Sequence, residues 1–285
     1  MNENIVNINR IIDLNNDFSP DRFIDDNCES MIEMMKMVCD CSRSIAIEFL
    51  KITNWNVERS INLYVMRNDN EDVMIQQKSI SFVEKIFSEF ENTKQLQIFC
   101  GGVRLVTKDI MVDWTNKFIK TINQFKEKNI RTKPYVLYHW TSSSVLQSIS
   151  DHGIMSKAER NDQQISNSGF HGAWFGDGVY MGAHSSDFSN YGNICIMSIG
   201  IIGNYYRLIG GPFNNQKIKD IRSHNVNTII GRKKNTSYDE IILETSNQCI
   251  PIFTISAKDL NEKNKTFLED HLGPWLLSIV KINLL

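Results

Sequence analysis

Residues 135–141 read YVLYHWT, residues 172–180 GAWFGDGVY, residues 185–191 SSDFSNY and residues 238–243 YDEIIL. The first is a short apolar strand ending on a histidine flanked by aromatic residues. The second alternates glycine with apolar side chains, as a tight turn entering a strand does. The last sets an acid, Glu240, at the start of an apolar strand. Residues 194–202 (ICIMSIGII) and 249–255 (CIPIFTI) are almost wholly apolar and read as buried strands. After the first strand a serine-rich helix start leads to Val145, Leu146 and Ile149 and closes at Asp151, His152 and Gly153. From about residue 135 the chain is thus strand-rich with helical pieces between, an α+β pattern.

Upstream of this domain the period changes. Phe82, Ile86 and Phe90, then Trp114, Phe118, Ile122 and Phe125, recur every three or four residues, the spacing of helices packed on something. Gly101 and Gly102 break the chain between them, and residues 103–106 (VRLV) read as a short strand. Residues 68–79 (NDNEDVMIQQKS) are polar and read as a joint. Before the joint come three short helices. Met31, Met34, Met35 and Val38 form the stripe of the first. Ser42 caps the second, with Ile45, Ala46, Phe49 and Leu50. Asn56 caps the third, with Val57, Ser60, Ile61 and Tyr64. The expected organisation is an N-terminal segment rich in Asn and Asp (1–30), a helical module (31–67), a helical linker and support region (68–134) and the main domain (135–285).

Composition excludes several classes. A chain of 285 residues fits two domains on the usual prior of roughly 100 to 200 each. At 41% hydrophobic and 22% charged residues it lies outside the composition of disordered chains. Thirty-one basic against thirty-three acidic residues leave a net charge of −2, so there is no global field for nucleic acid or anionic membrane. No apolar run reaches the roughly 18 residues of a membrane span, and the polar start MNENIVNINR lacks the apolar stretch of a signal peptide. The six cysteines form no paired metal-ligand spacing, so no metal is expected and the thiols read as reduced, in cytoplasm or nucleus.

The four quoted stretches, in this order, resemble the catalytic domain of the diphtheria-toxin-like ADP-ribosyltransferases, the poly(ADP-ribose) polymerase family, over roughly residues 135–257. The resemblance implies a split, mixed and largely antiparallel sheet around a cleft for NAD, which is a substrate here. It implies that Glu240 hydrogen-bonds the nicotinamide-ribose 2′-hydroxyl and orients the acceptor, that His139 fixes the adenosine ribose, and that Tyr180 and Tyr191 line and sandwich nicotinamide. Catalytic roles fall to His139, Tyr180 and Glu240. Nucleotide-binding positions are His139, Trp140, Thr141, Gly178, Tyr180, Ser186, Ser189 and Tyr191. The chemistry suits such a set: breaking the nicotinamide–ribose bond builds positive charge on the sugar, which a carboxylate favours. Two departures stand out. Trp140 is where the family most often has Gly, whose backbone groups grip the carboxamide, and Phe188 is where a Ser usually bonds it, with Ser186 and Ser189 beside it. The wording around Tyr180 is nearest the mono-ADP-ribosylating branch.

Residues 38–65 resemble the ubiquitin-associated-like (UBA-like) domains of UBX-type adaptor proteins, through Asn54, Trp55, Asn56, Val57 and Glu58 and the packing positions Ala46 and Leu50. This implies that residues 31–67 bind ubiquitin or ubiquitylated proteins, through loop 38–41 and the apolar end of the third helix. A helical bundle that merely docks on the main domain is the alternative. For the whole chain the alternatives are a pseudo-transferase, binding ADP-ribose or NAD without turnover and acting as a ubiquitin-binding adaptor, and an RNA 2′-phosphotransferase-like use of the fold. His152, His171, His184 and His224 read as structural or surface histidines, and Arg232, Lys233 and Lys234 as a solvated loop.

Overall fold

In the computed structural model of the chain, residues 26–92, 103–105, 107–165, 174–187 and 189–285 are described. Residues 1–25, Gly101, Gly102, Val106, His171, Gly172 and Phe188, on which sequence expectations fell, lie outside them, as do the side chains of Phe90 and Ser189. The chain divides into two compact units, one ending at Val73 and the other beginning at Met74.

In the first unit α1 (Asp26–Cys39), α2 (Arg43–Ile52) and the start of α3 (Val57–Asn92) enclose a core of Ile32, Met35, Ala46, Phe49 and Leu50. Helix α1 begins earlier than the expected module boundary at residue 31. Its buried residues are Ile32 and Met35, whereas Met34 and Val38 of the expected stripe are about half exposed, because Ile32 lies one turn before Met35 and together they claim the inner face. The capping expectations hold: Ser42 Oγ accepts from Ile45 N–H and Asn56 Oδ1 accepts from Arg59 N–H. The polar stretch 68–79, where the two units divide, is helical rather than an irregular linker. It lies within α3, whose 36 residues include neither glycine nor proline, so nothing in the backbone stops the helix. From Met74 onward the apolar period resumes at Ile75, Phe82, Val83 and Ile86, all buried.

In the second unit the described strands form two four-stranded sheets. β1 (Val103–Leu105), β2 (Pro134–Thr141), β4 (Ile194–Ile201) and β8 (Cys249–Ser256) make an antiparallel sheet in the order β1-β8-β4-β2. β3 (Val179–Met181), β5 (Tyr205–Ile209), β6 (Thr228–Arg232) and β7 (Glu240–Leu243) make the second, β3-β7-β6-β5, antiparallel except for β5 beside β6. A helical module followed by a domain of antiparallel and mixed sheets is therefore the architecture of the chain.

Two-residue alternation along β2 sorts the layers. Tyr138 and Trp140 join a large core with Trp114, Phe118, Ile122 and Phe125 of α4 (Lys108–Glu127), with α3 residues from Ile75 on, and with Leu276, Ile279 and Val280 of the C-terminal helix Gly273–Asn283. Leu137, one residue out of phase, packs with Ile196, Val179, Met181, Ile241 and Leu243 in a core between the sheets. The outer face of the second sheet is closed by Phe175, Leu208, Ile229 and Ile242 against Ile218 of the helix Asn215–Arg222.

Candidate active site

The two sheets touch edge to edge. Tyr138 of β2 exchanges both backbone hydrogen bonds with Gly182, just past β3, at 3.0 and 2.7 Å. Tyr138 therefore spends its backbone groups away from β4, and two residues on, those of Trp140 point to the same edge. The Trp140 side chain goes the other way, into the core, where Nε1–H donates to Ser185 O at 2.9 Å. Its bulk thus lies behind the strand, and its backbone groups point to the edge of β2 away from β4.

His139 sits on the opposite face of β2 to Tyr138 and Trp140. Its Nδ1 is 2.8 Å from the carbonyl oxygen of Tyr180. A carbonyl only accepts, so Nδ1 carries the proton and Nε2 is the acceptor in the neutral ring. Burial pushes the imidazole below its ordinary pKa, partly offset by this bond, which keeps the ring neutral.

Tyr180 pairs across β3 and β7 with Ile242. Glu240 lies two residues from Ile242, so Tyr180 and Glu240 share the outer face of the second sheet. The Tyr180 hydroxyl accepts from Phe175 N–H at 2.9 Å and donates to Gly176 O at 2.8 Å, and burial raises its pKa. The phenol thereby closes the glycine turn that precedes its own strand. Gly178 is needed there by close approach: a Cβ would come within 2.5 Å of Leu243 O and of Ile242 Cγ2. Between the glycines, Asp177 accepts from the N–H groups of Lys157 and Ala158, at 2.9 and 3.0 Å, and so ties the turn to the start of the helix Lys157–Asp162.

Thr141 is buried at the end of β2, and its carbonyl lies against Gly192, directly after the 3-10 turn Ser189–Tyr191. Tyr191 is 38% exposed. Ser186 is exposed, whereas its neighbour Ser185 is buried, with N–H and Oγ–H both donating to Glu269 Oε1 at 2.8 Å. Glu269, 84 residues away on the chain, was invisible in the sequence because no local spacing links it to Ser185.

Lys233 is the main correction. Arg232 does face outward, pairing with Asp239 at 2.6 Å, and Lys234 is exposed. Lys233 turns inward, with its side chain only 22% exposed: Nζ lies 2.7 Å from Glu240 Oε1 and donates to the Tyr191 hydroxyl at 3.1 Å. Alternation explains the split. A Cβ on Gly231 would strike the Phe175 ring, so Gly231 faces the outer layer and Lys233, two positions on, follows it. The ammonium lies 5.3 Å from the centre of the Trp174 ring and 5.8 Å from that of Tyr191. Glu240 itself is buried, at 2% exposure.

Other expected residues stand apart. His184 approaches Glu269 at 3.3 Å, and His224 Nδ1 is 2.8 Å from Asp220 O. His152 lines a separate cavity of about 250 Å³ with Trp114, Gly153, Glu159 and Asn247, which includes none of the residues above. Among the described residues no cluster of His, Cys, Asp and Glu could hold a metal ion, and no helix is long and apolar enough to cross a membrane.

A family model for the UBA-like domain matches residues 29–71. Among solved structures, the chain is similar to the PARP domain of Arabidopsis RADICAL-INDUCED CELL DEATH1, with 13% identity over 54% of this chain and 83% of that one and a TM-score of 0.36. No curated protein matches the sequence. Residues 29–71 are thus a UBA-like module, and a unit with two four-stranded sheets joined by the Tyr138–Gly182 bridge follows it.

Proposed function

We propose that the second unit transfers a single ADP-ribose from NAD to each acceptor site of a protein, and that the UBA-like module recruits ubiquitin or ubiquitylated targets to it. The observation that supports this most is the convergence of Tyr180 and Glu240 on one face of neighbouring strands, with His139 bonded to the backbone of Tyr180. In this reading neutral His139 offers Nε2 as acceptor to a ribose hydroxyl, and the backbone of Trp140, at the open edge of β2, meets the carboxamide. Tyr180 and Tyr191 flank the nicotinamide ring. The Glu240 carboxylate accepts from the 2′-hydroxyl and favours positive charge as the nicotinamide–ribose bond breaks, the electron pair leaving with nicotinamide. Water or an acceptor side chain then attacks the sugar carbon. Residues 208–237 hold no recognisable site for a growing chain, which favours a single unit.

Exposed Met37 and Val38 at the end of α1, and Val65 and Met66 on α3, supply apolar surface for a ubiquitin contact. Incubating the purified chain with labelled NAD, with and without ubiquitin, tests the whole reading. Addition of a single ADP-ribose supports it. Binding of NAD with neither hydrolysis nor transfer leaves an ADP-ribose-binding adaptor, and a ladder of products overturns the single-unit assignment.

A further inference from the structure

We infer that Lys233 is a positioning residue of this site: its ammonium ties the Glu240 carboxylate to the Tyr191 hydroxyl and so holds the acid and one wall of the cleft in a fixed relation. The inference deepens the transferase reading and rests on it for its catalytic part. Three observations converge. Nζ reaches both Glu240 Oε1, at 2.7 Å, and the Tyr191 oxygen, at 3.1 Å, from a loop that belongs to neither partner. The Glu240 side chain is only 3% exposed, so a charge there needs a partner, and among the described residues this is the ion pair drawn to it. The ammonium is also bracketed by the Trp174 and Tyr191 rings, which limits its travel.

The tie has a mechanical sense. Glu240 begins β7 and Tyr191 ends the turn Ser189–Tyr191, so the lysine links two separate elements. A carboxylate with two oxygens can give one to the lysine and aim the other at a ribose hydroxyl. Lysine, with three donors on a short head, can serve two acceptors at once. The groups facing it are Glu240, Tyr191 and Tyr238. Desolvation works against the charged form, but the bonds to Glu240 and Tyr191 outweigh it and hold Lys233 above the ordinary lysine range.

The test uses the full chain. Lysines labelled at Cε are titrated by NMR, with Lys233→Arg to assign the signal, in the natural sequence and in Glu240→Gln. We expect Lys233 to titrate above the exposed lysines and to fall by about one pH unit or more in Glu240→Gln. In turnover, Lys233→Met should lower kcat about tenfold or more with the KM for NAD within about threefold, and Lys233→Arg, which keeps charge and reach, should restore most of kcat. A Lys233 signal unmoved by Glu240→Gln overturns the inference, as does full kcat in Lys233→Met. A signal that moves in a chain that never turns over NAD leaves the tie standing and sinks the transferase reading instead. The titration keeps the inference testable even if Lys233→Met fails to fold.

Discussion

The Nδ1–H of His139 donates to the carbonyl of Tyr180 across 2.8 Å, so a residue of one sheet has its tautomer set by the backbone of the other. Because Nε2 is left as the acceptor, His139→Ala would, on the proposed reading, remove one hydrogen bond to the ribose and leave a gap at the junction. NAD affinity should fall about tenfold, roughly 1.4 kcal/mol, by calorimetry. Burial depresses the His139 pKa, so the ring stays neutral below the usual histidine range. NAD affinity should accordingly hold steady as pH falls from about 8 to about 6. A loss centred near the ordinary histidine value would mean that this ring is exposed and titrating.

Glu240→Gln keeps the shape of the buried side chain and removes the charge. If the carboxylate acts mainly as the sugar becomes cationic, kcat should drop about 100-fold or more, roughly 3 kcal/mol, with NAD affinity within a few fold. Glu244 follows four residues later, past the end of β7, and its N–H is spent on Gln248 Oε1. Glu244→Gln is therefore the control: equal loss in both variants points to a structural effect.

Glu269 holds Ser185 by two hydrogen bonds, one from the backbone and one from the hydroxyl. Desolvation raises its pKa, yet the bonds from Ser185, with His184 adding to them, hold the carboxyl below its ordinary range. A depressed carboxyl contributes stability at pH values above its unfolded pKa and loses it as pH falls through the folded value. Glu269→Gln should lower the melting temperature at neutral pH, by about 1–3 kcal/mol of stability. It should also flatten the decline in melting temperature on the acid side. Thermal melts from neutral to acid pH check both, and parallel curves for the two proteins would refute the assignment.

Gly178 admits no side chain without displacing Leu243 O, a backbone atom of the strand that begins with Glu240. Gly178→Ala should cost about 1–3 kcal/mol in denaturant unfolding and impair turnover beyond what the stability loss explains, since β3 and β7 bear Tyr180 and Glu240. An alanine variant of natural stability and activity would show that the turn is looser than its packing indicates.

Most readings that rested on local period held, though the α1 stripe was partly misplaced, and contacts with distant partners left no local signal. The apolar runs of β4, β7 and β8 and the period of Trp114, Phe118, Ile122 and Phe125 are legible because strand and helix faces repeat within a few residues. Ser42 and Asn56 were readable as caps for the same reason. The stretch 68–79, read as a joint from its polarity, does contain the division between the units, but it is helical, with no glycine or proline to interrupt α3. Lys233 was misread with its neighbours as solvated: charge says nothing about which way a residue faces, and the clue was its place two positions after Gly231, whose lack of a side chain leaves room for Phe175. Glu269 carried no local signal, since the residue it holds is 84 positions away.

The last expectation concerns the UBA-like module. A patch built from Met37, Val38, Val65 and Met66 is small beside a standard interface, so ubiquitin should bind in the range of about tens to hundreds of micromolar. Val38→Asp, a change at a half-exposed position outside the core of Ile32, Met35, Ala46, Phe49 and Leu50, should abolish that binding and leave the fold intact. Because α3 runs unbroken across residues 68–79, a deletion ending at residue 67 or at Val73 cuts inside a helix, but the one ending at Val73 follows the division between units. Removing residues 1–73 should spare NAD hydrolysis and lower modification of a ubiquitylated substrate, because binding raises the local concentration of the acceptor. Chemical-shift titration of the full chain with ubiquitin is the direct check. No shifts at about millimolar ubiquitin, a concentration well above the expected Kd, would reduce the module to packing and remove ubiquitin from the proposed function.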